Sequence, residues 1–143
     1  MNLISGDEEN VFRRLIEAYF GCFMRHDLVG LRALHVTDGD FIHFDHEYDR
    51  DSLGLADFLK NAKRGFEQRA TAGSDYAPIE ILDFRAYADH SAALLVAALR
   101  KQHLSNGYLR ATFVLSKERG AWRFRHVHFS QDPNTLAELA VAS

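Results

Sequence analysis

The chain has 143 residues, of which 47% are hydrophobic and 26% charged, and its formal net charge is −3 at pH 7. These values are typical of a globular protein, so we expect one domain over residues 1–143, and the scattered Lys and Arg residues argue against nucleic acid or a membrane as partner. The lone Cys22 and the absence of a signal-like apolar run near the N-terminus predict a cytoplasmic protein.

Helical spacing dominates the first part of the chain. Apolar residues recur at helical intervals between Val11 and Phe23 and predict a first helix that ends near Arg25. The segment that starts at Ser5 has the spacing of a capping box. Asp27 is typical of an N-cap and predicts a short second helix.

A short strand and a third helix are predicted next. Residues 41–44 form a short apolar run that is typical of a strand. Ser52 is predicted to begin the third helix, which would end within residues 70–74. Its apolar side consists of Leu55, Phe58, Leu59, Ala62 and Phe66.

Four long strands are predicted over residues 79–87, 92–104, 108–117 and 122–129, and tight turns join them into an antiparallel meander. Residues 92–99 are apolar at every position, whereas a half-exposed antiparallel strand alternates. Both faces of that strand should therefore be covered. Three helices can cover one face, so we expect a second copy of the chain on the other, in a homodimer or a larger ring.

Polar and aromatic side chains alternate along the last strand. In a regular strand Trp122, Phe124, His126, His128 and Ser130 lie on one face. Two imidazoles and a hydroxyl are unusual in a purely structural core, which predicts a pocket at the end of this strand. The same residues are also consistent with a structural hydrogen-bond network. Chelation of zinc or iron lacks a third ligand at a recognisable spacing, so we predict no metal.

The order of these elements resembles the nuclear transport factor 2-like fold, an α+β, cystatin-like cone in which three N-terminal helices pack on a strongly curved, mostly antiparallel sheet. The SnoaL-like proteins share this plan. The end of the chain is also similar to the association domain of calcium/calmodulin-dependent protein kinase II, on Thr112, Gly120, Trp122, His126, His128, Ser130 and Pro133. Arg110 departs from that family, which has an acidic residue there, and no kinase accompanies this chain.

Two residues are placed as in ketosteroid isomerases, to which the chain is more distantly similar. Tyr19, eight residues before Asp27, is placed like their oxyanion-hole tyrosine, and Asp45 is placed like their general base. This resemblance implies proton transfer at a carbon next to a carbonyl group. The position of their neutral acid corresponds to Thr112, a much weaker acid, so His128 is considered as the donor instead.

Each of these residues also has a simpler interpretation. Tyr19 could pack on the sheet as a helix aromatic, and Asp45 could be a loop carboxylate. Arg110 either is solvated or lies inside the cone, where it would select a carboxylate ligand through a bidentate contact.

The patterns and resemblances together predict a small-molecule-binding protein that needs no cofactor. If it is an enzyme, Asp45 or His128 is the expected base and Tyr19 the donor, in isomerase-, cyclase- or hydratase-like chemistry on a carbonyl-containing or carboxylate compound. The alternative is a non-catalytic association module whose apolar sheet face carries the function. The pocket would be lined by Tyr19, Phe44, Asp45, Arg110, Thr112, Trp122, His126, His128 and Ser130.

Overall fold

Helices come first and long strands second in the computed structural model, which describes residues 1–45, 50–102 and 107–131. The helices are α1 (Gly6–Met24), α2 (Leu28–Ala33) and α3 (Leu55–Ala72). The strands are β1 (Asn2–Leu3), β2 (Ile42–Phe44), β3 (Ser52–Leu53), β4 (Ile79–Ala88), β5 (Ala92–Lys101), β6 (Tyr108–Glu118) and β7 (Ala121–Gln131). Pro133 and the predicted strand end at Leu104 lie outside the described residues. None of the helices within those ranges is long and apolar enough to cross a lipid bilayer.

The helix starts agree with the predicted capping residues only in part. Asp27 caps α2, because its carboxylate accepts a hydrogen bond from the backbone N–H of Gly30 at 2.8 Å. Ser5 is the N-cap of α1, but its side chain makes no capping hydrogen bond, so the predicted capping box is wrong. The predicted start of the third helix at Ser52 is also wrong, since Ser52 pairs with β2 as part of β3 and α3 begins at Leu55.

The strands form one mixed sheet in the order β1-β4-β5-β6-β7-β2-β3. The antiparallel meander of β4 to β7 is confirmed. The parallel pairing of β2 with β7 was not predicted, and it sets His43 opposite Val127. Because side chains alternate between the faces of a strand, this register turns His43 towards the helices together with buried Val127.

One face of the sheet packs on the helices and forms the core. Its central members are fully buried and include Phe113, Leu95 and Phe124. The opposite, outer face is half-exposed, and Val96 in the middle of β5 is 36% exposed. No described element of the chain covers this outer face, so the expectation that a second copy covers it stays a prediction.

A β-bulge divides the last strand into two segments that face opposite ways. Val114 pairs with His126, whereas the next residue, Leu115, pairs with Phe124, so that Arg125 is the extra residue. One extra residue shifts the alternation of side chains to the other face. Trp122 and Phe124 therefore lie on the helix side and His126, His128 and Ser130 on the outer face. The prediction that all five share one face is wrong for this reason.

The bulge is stabilised by the side chain of Arg125. Its guanidinium donates to the Ser116 hydroxyl at 3.0 Å and to the Asp38 carboxylate at 2.9 Å. It also donates to the backbone oxygen of Asp40 at 3.0 Å. The backbone N–H of Asp40, followed by Arg125, lowers the pKa of the Asp38 carboxyl below its usual value. The extra residue thus connects β7 to the loop before β2.

Candidate functional site

Four polar side chains meet in the interior between the helices and the sheet. Tyr19 extends from α1, His35 follows α2, His43 is the middle residue of β2, and Asp45 follows that strand. The exposed fractions of Tyr19, His35 and His43 are only 1%, 1% and 4%. We call these four residues the interior cluster. Apart from Ser52 and Cys22, the other buried residues of the described core are aromatic and aliphatic.

His43 and Asp45 form a hydrogen-bonded pair. His43 Nε2 lies 3.3 Å from Asp45 Oδ2, and an ionised carboxylate can only accept, so the imidazole donates from Nε2. The backbone N–H of Asp45 donates to Asp51 at 2.8 Å, which fixes the start of this loop. His43 Nδ1 is buried and has no hydrogen-bond partner. Asp45 therefore orients an imidazole whose second nitrogen is available to a ligand.

His35 is held as a neutral imidazole. Its Nδ1 donates to the backbone oxygen of Leu31 at 2.6 Å, which leaves Nε2 unprotonated. The pKa of His35 is lowered to about 4, mainly by burial and also by the nearby His43, while the hydrogen bond to the Leu31 carbonyl acts in the opposite direction. Nε2 is buried without a partner. At neutral pH the one ring nitrogen of His35 that is left for a ligand is Nε2, and it can only accept a hydrogen bond.

Tyr19 supplies a hydroxyl in an aromatic environment. Its ring lies 5.5 Å from Phe124, 6.2 Å from Phe129 and 6.1 Å from His35, measured between ring centroids. Burial raises the pKa of Tyr19 well above its usual value, and the negative charge of Asp45 raises it further. The hydroxyl has no hydrogen-bond partner. It therefore remains protonated and can donate.

The interior cluster combines groups that can act as an acid, a base and a hydrogen-bond donor. Phe58 packs against both imidazoles, 5.1 Å from His35 and 5.0 Å from His43, and keeps the cluster in apolar surroundings. Low polarity strengthens hydrogen bonds made there. No group of three or more His, Cys, Asp or Glu side chains within the described ranges is arranged to hold a metal ion.

Of the predicted site residues, only Tyr19 and Asp45 belong to the interior cluster. Trp122 is on the helix side but packs against Phe12, at 5.3 Å between ring centroids. Phe12 lies seven residues before Tyr19 on α1, which is roughly 10 Å along a helix. The prediction that Trp122 lines one pocket with Tyr19 is therefore not supported by this arrangement.

The other predicted site residues lie on the outer face of the sheet, and their predicted place in one cone with Tyr19 is wrong. The bulge at Arg125 turns the end of β7 outward, whereas on β6 and β2 ordinary strand alternation places these side chains outside, because their neighbours Ala111, Phe113 and His43 are buried. These residues are Phe44, Arg110, Thr112, His126, His128 and Ser130. Four of them do come together there, because Arg110, Thr112, His128 and Ser130 line an open groove of about 520 Å³.

Phe44 and His126 lie beside this outer groove. The ring of Phe44 is 5.7 Å from that of His128 and 5.4 Å from that of His126. His126 Nδ1 is 2.8 Å from the backbone oxygen of Ile42, to which it donates. This bond gives His126 a structural role between β7 and β2.

His35 and His43 were missed by the sequence analysis. His43 lies two residues after Phe41, so strand alternation places both on one face, and Phe41 is only 1% exposed. That alternation was a usable signal for His43. The position of His35 depends on its pairing with Phe124 across the sheet edge, a long-range contact that no local pattern contains.

Comparison with known proteins places the chain in one family and one fold. The model of the SnoaL-like domain family matches residues 13–133. No curated protein matches the sequence.

Several solved structures have the same fold. A structure from Streptomyces avermitilis, named as a candidate dehydratase of the nuclear transport factor 2-like family, has a TM-score of 0.71 at 16% identity and covers 87% of this chain and 96% of its own. A protein of unknown function with a cystatin-like fold from Nostoc punctiforme has a TM-score of 0.68 at 14% identity, and the match covers 93% of this chain and 96% of that one. A candidate ketosteroid isomerase from Shewanella frigidimarina has a TM-score of 0.63 at 13% identity, and the match covers 82% of this chain and 92% of that one. These likenesses establish the predicted cystatin-like, nuclear transport factor 2-like fold.

Proposed function

Because the chain belongs to the SnoaL-like domain family, we propose that it binds a small carbonyl compound between its helices and its sheet and transfers a proton on that compound. The observation that carries this proposal is that Tyr19 Oη, His35 Nε2 and His43 Nδ1 are buried without hydrogen-bond partners. Unpartnered buried polar groups cost free energy and are rare in native proteins. A ligand with a carbonyl and a hydroxyl group would satisfy them.

His43 is the base in this proposal. Its Nδ1 takes a proton from the carbon next to the carbonyl; the electron pair of that C–H bond forms a C=C bond, and the carbonyl electrons move to oxygen. The resulting imidazolium is stabilised by the Asp45 carboxylate, which lies 3.3 Å from Nε2. Return of the proton to the same or to another carbon regenerates the carbonyl and the neutral base. Asp45 acts as a positioning residue.

Tyr19 and His35 recognise the oxygen atoms of the ligand. The Tyr19 hydroxyl, whose pKa is raised by burial, donates to the enolate oxygen and stays protonated. His35, whose pKa is about 4, accepts a hydrogen bond from a ligand hydroxyl. The pair thus favours a compound that carries both groups over one that carries a carbonyl alone.

Ligand entry requires side chains to move, since the interior cluster is almost inaccessible. Asp45 is its most exposed member, with 18% of its side chain accessible. Phe20, half-buried on α1, packs against both Tyr19 and Phe129 at 5.3 and 5.9 Å between ring centroids. A rotation of Phe20 would open the apolar side of the cluster.

The exchange of carbon-bound protons tests this function directly. In deuterium oxide, the protein is mixed with 2-tetralone, an aromatic ketone with acidic α-protons, and exchange is followed by NMR. We expect the wild type to exceed the buffer rate and His43→Gln to return to it. His128→Gln, which changes an imidazole on the outer face, is the matched control and should keep the wild-type rate. Wild-type exchange no faster than buffer, or an equal loss in His128→Gln, would contradict the proposal.

A second role, association through the outer face, is supported by a different observation. Ile42 and Phe44 of β2 remain 37% exposed on the outer face, beside the groove rather than in it. Such side chains are typical of a self-complementary interface between two copies. Light scattering after size exclusion should give the mass of a dimer, and Phe44→Glu, which changes no residue of the groove, should give a monomer. A monomeric wild type would contradict this second role.

A further inference from the structure

The groove on the outer face of the sheet is formed by side chains in an ordered arrangement. Two neighbouring rows of side chains cross four strands there, because Asp83 pairs with Ala98, Ala98 with Arg110, and Arg110 with Ser130. The second row runs from Arg85 through Val96 and Thr112 to His128. All of these side chains line the groove of about 520 Å³.

Small residues on β5 create the hollow. Ala98 and Val96 form the floor, whereas the long side chains of Arg85 and Arg110 rise from the two neighbouring strands. Strands two apart in a sheet are separated by roughly 10 Å, which is the width of a small organic molecule. The floor is apolar and its two walls carry guanidinium groups.

Neither guanidinium group is neutralised by another residue that the structure describes. Among the described residues, Arg85 and Arg110 form no ion pair or side-chain hydrogen bond, in contrast to Arg100 on the same face, whose guanidinium lies 3.1 Å from the Glu80 carboxylate. The one carboxylate of the groove, Asp83, accepts a hydrogen bond from the backbone N–H of Phe84 at 2.8 Å. Among its described lining residues, the groove therefore has two guanidinium groups without an ion pair against one carboxylate.

We propose that this groove binds a small organic carboxylate, with the carboxylate on Arg110 and an apolar body on Val96 and Ala98. A guanidinium group offers two parallel donors that match the two oxygens of a carboxylate. Ser130 and Thr112, which have no side-chain hydrogen bond in the described chain, add hydroxyl donors beside Arg110. This site lies on the opposite face of the sheet from the interior cluster and is independent of it.

A second, smaller hollow of about 280 Å³ continues the groove past Arg110. It shares Ala98, Arg110 and Ser130 with the larger one and reaches Gln131. Arg110 thus stands between two hollows, where a carboxylate can be contacted from both sides.

Calorimetric titration with hexanoate and with acetate tests the proposal on the intact chain. Hexanoate should bind more tightly than acetate because its chain covers the apolar floor, by about fourfold for each buried methylene group. Arg110→Gln should weaken hexanoate binding by about tenfold or more. Arg100→Gln, which removes an already paired charge from the same face, should change it less than about twofold.

A second variant distinguishes binding in the groove from a general attraction of the anion to positive charge. Ala98→Leu leaves every charge in place but fills the floor, so hexanoate binding should be lost. Sedimentation velocity on each variant establishes that the association state is unchanged. The proposal is overturned if the wild type binds neither acid, if Arg100→Gln weakens binding as much as Arg110→Gln, or if Ala98→Leu binds as well as the wild type.

Discussion

His43 Nε2 donates to the carboxylate of Asp45 across 3.3 Å, and this one bond orients an imidazole that is otherwise surrounded by aromatic rings. The other ring nitrogen is left as a buried atom without a partner. A carboxylate that fixes the tautomer of a histidine and stabilises its charged form is a recurrent arrangement in acid–base catalysis.

Replacement of Asp45 by Asn tests this relationship. The amide oxygen can still accept from His43, but the charge that stabilises the imidazolium is lost, so tetralone exchange should fall by about 100-fold with little change in ligand affinity. Asp75→Asn, an exposed substitution of the same kind, is the control. Exchange in Asp45→Asn that equals the wild-type rate would show that the carboxylate has no part in the chemistry.

The stability of the protein should depend on pH through His35. Its pKa is about 4 when folded and near 6.5 when unfolded, so the unfolded state binds more protons between these values. Stability is therefore fully present above pH 6.5 and lost as the pH falls towards 4, by on the order of 3 kcal/mol.

Urea unfolding of wild type and His35→Phe at several pH values measures this contribution. The variant lacks the titrating imidazole and should have a smaller slope between pH 4 and 6.5. The neighbouring side chains of His43, Asp45 and Tyr19 are the same in both proteins. Equal slopes would assign the acid sensitivity to another group.

Because two phenylalanines lie on opposite faces of the sheet, their replacement should cost different amounts of stability. Phe124 is 0% exposed and packs on Tyr19 and Phe113, so Phe124→Ala should destabilise the protein by about 3–5 kcal/mol. Phe44 is 37% exposed on the outer face, and Phe44→Ala should cost less than about 2 kcal/mol. Chemical denaturation gives both values. Equal losses would contradict the assignment of the two faces.

The N-cap residues of α1 and α2 form a second matched pair. Asp27→Ala removes the bond to the Gly30 backbone N–H and should cost about 1 kcal/mol. Ser5→Ala removes a side chain that makes no capping bond and should stay within about 0.5 kcal/mol of the wild type. Thermal unfolding monitored by circular dichroism distinguishes the two. A larger loss in the Ser5 variant would show that a capping bond does form there.

The sequence predicted the fold better than the candidate site. Helical spacing in α1 and the succession of strand segments and turns in β4 to β7 are local patterns, and the helix and the meander predicted from them are confirmed. The extra residue Arg125 is not visible in such patterns, because a bulge is fixed by contacts to residues far away in the chain, here Asp38 and Ser116. That one residue moved His126 and His128 to the opposite face.

The same limit explains which site residues were found. Tyr19 and Asp45 were identified through resemblance and lie together in the structure. His43 was missed although it lies two residues after Phe41, and the parallel pairing of β2 with β7 then placed it opposite buried Val127. A three-residue strand such as β2 carries too short a pattern to define its partner.

Binding of 2-naphthol, a stable analogue of the enol of 2-tetralone, tests the interior site most directly. Its fluorescence should change on binding to the wild type, and Tyr19→Phe should weaken binding by about tenfold because the donor to the enol oxygen is lost. Arg110→Gln, on the outer face, should bind as the wild type does. Unchanged binding in Tyr19→Phe together with a loss in Arg110→Gln would place the ligand outside the interior cluster and contradict the account.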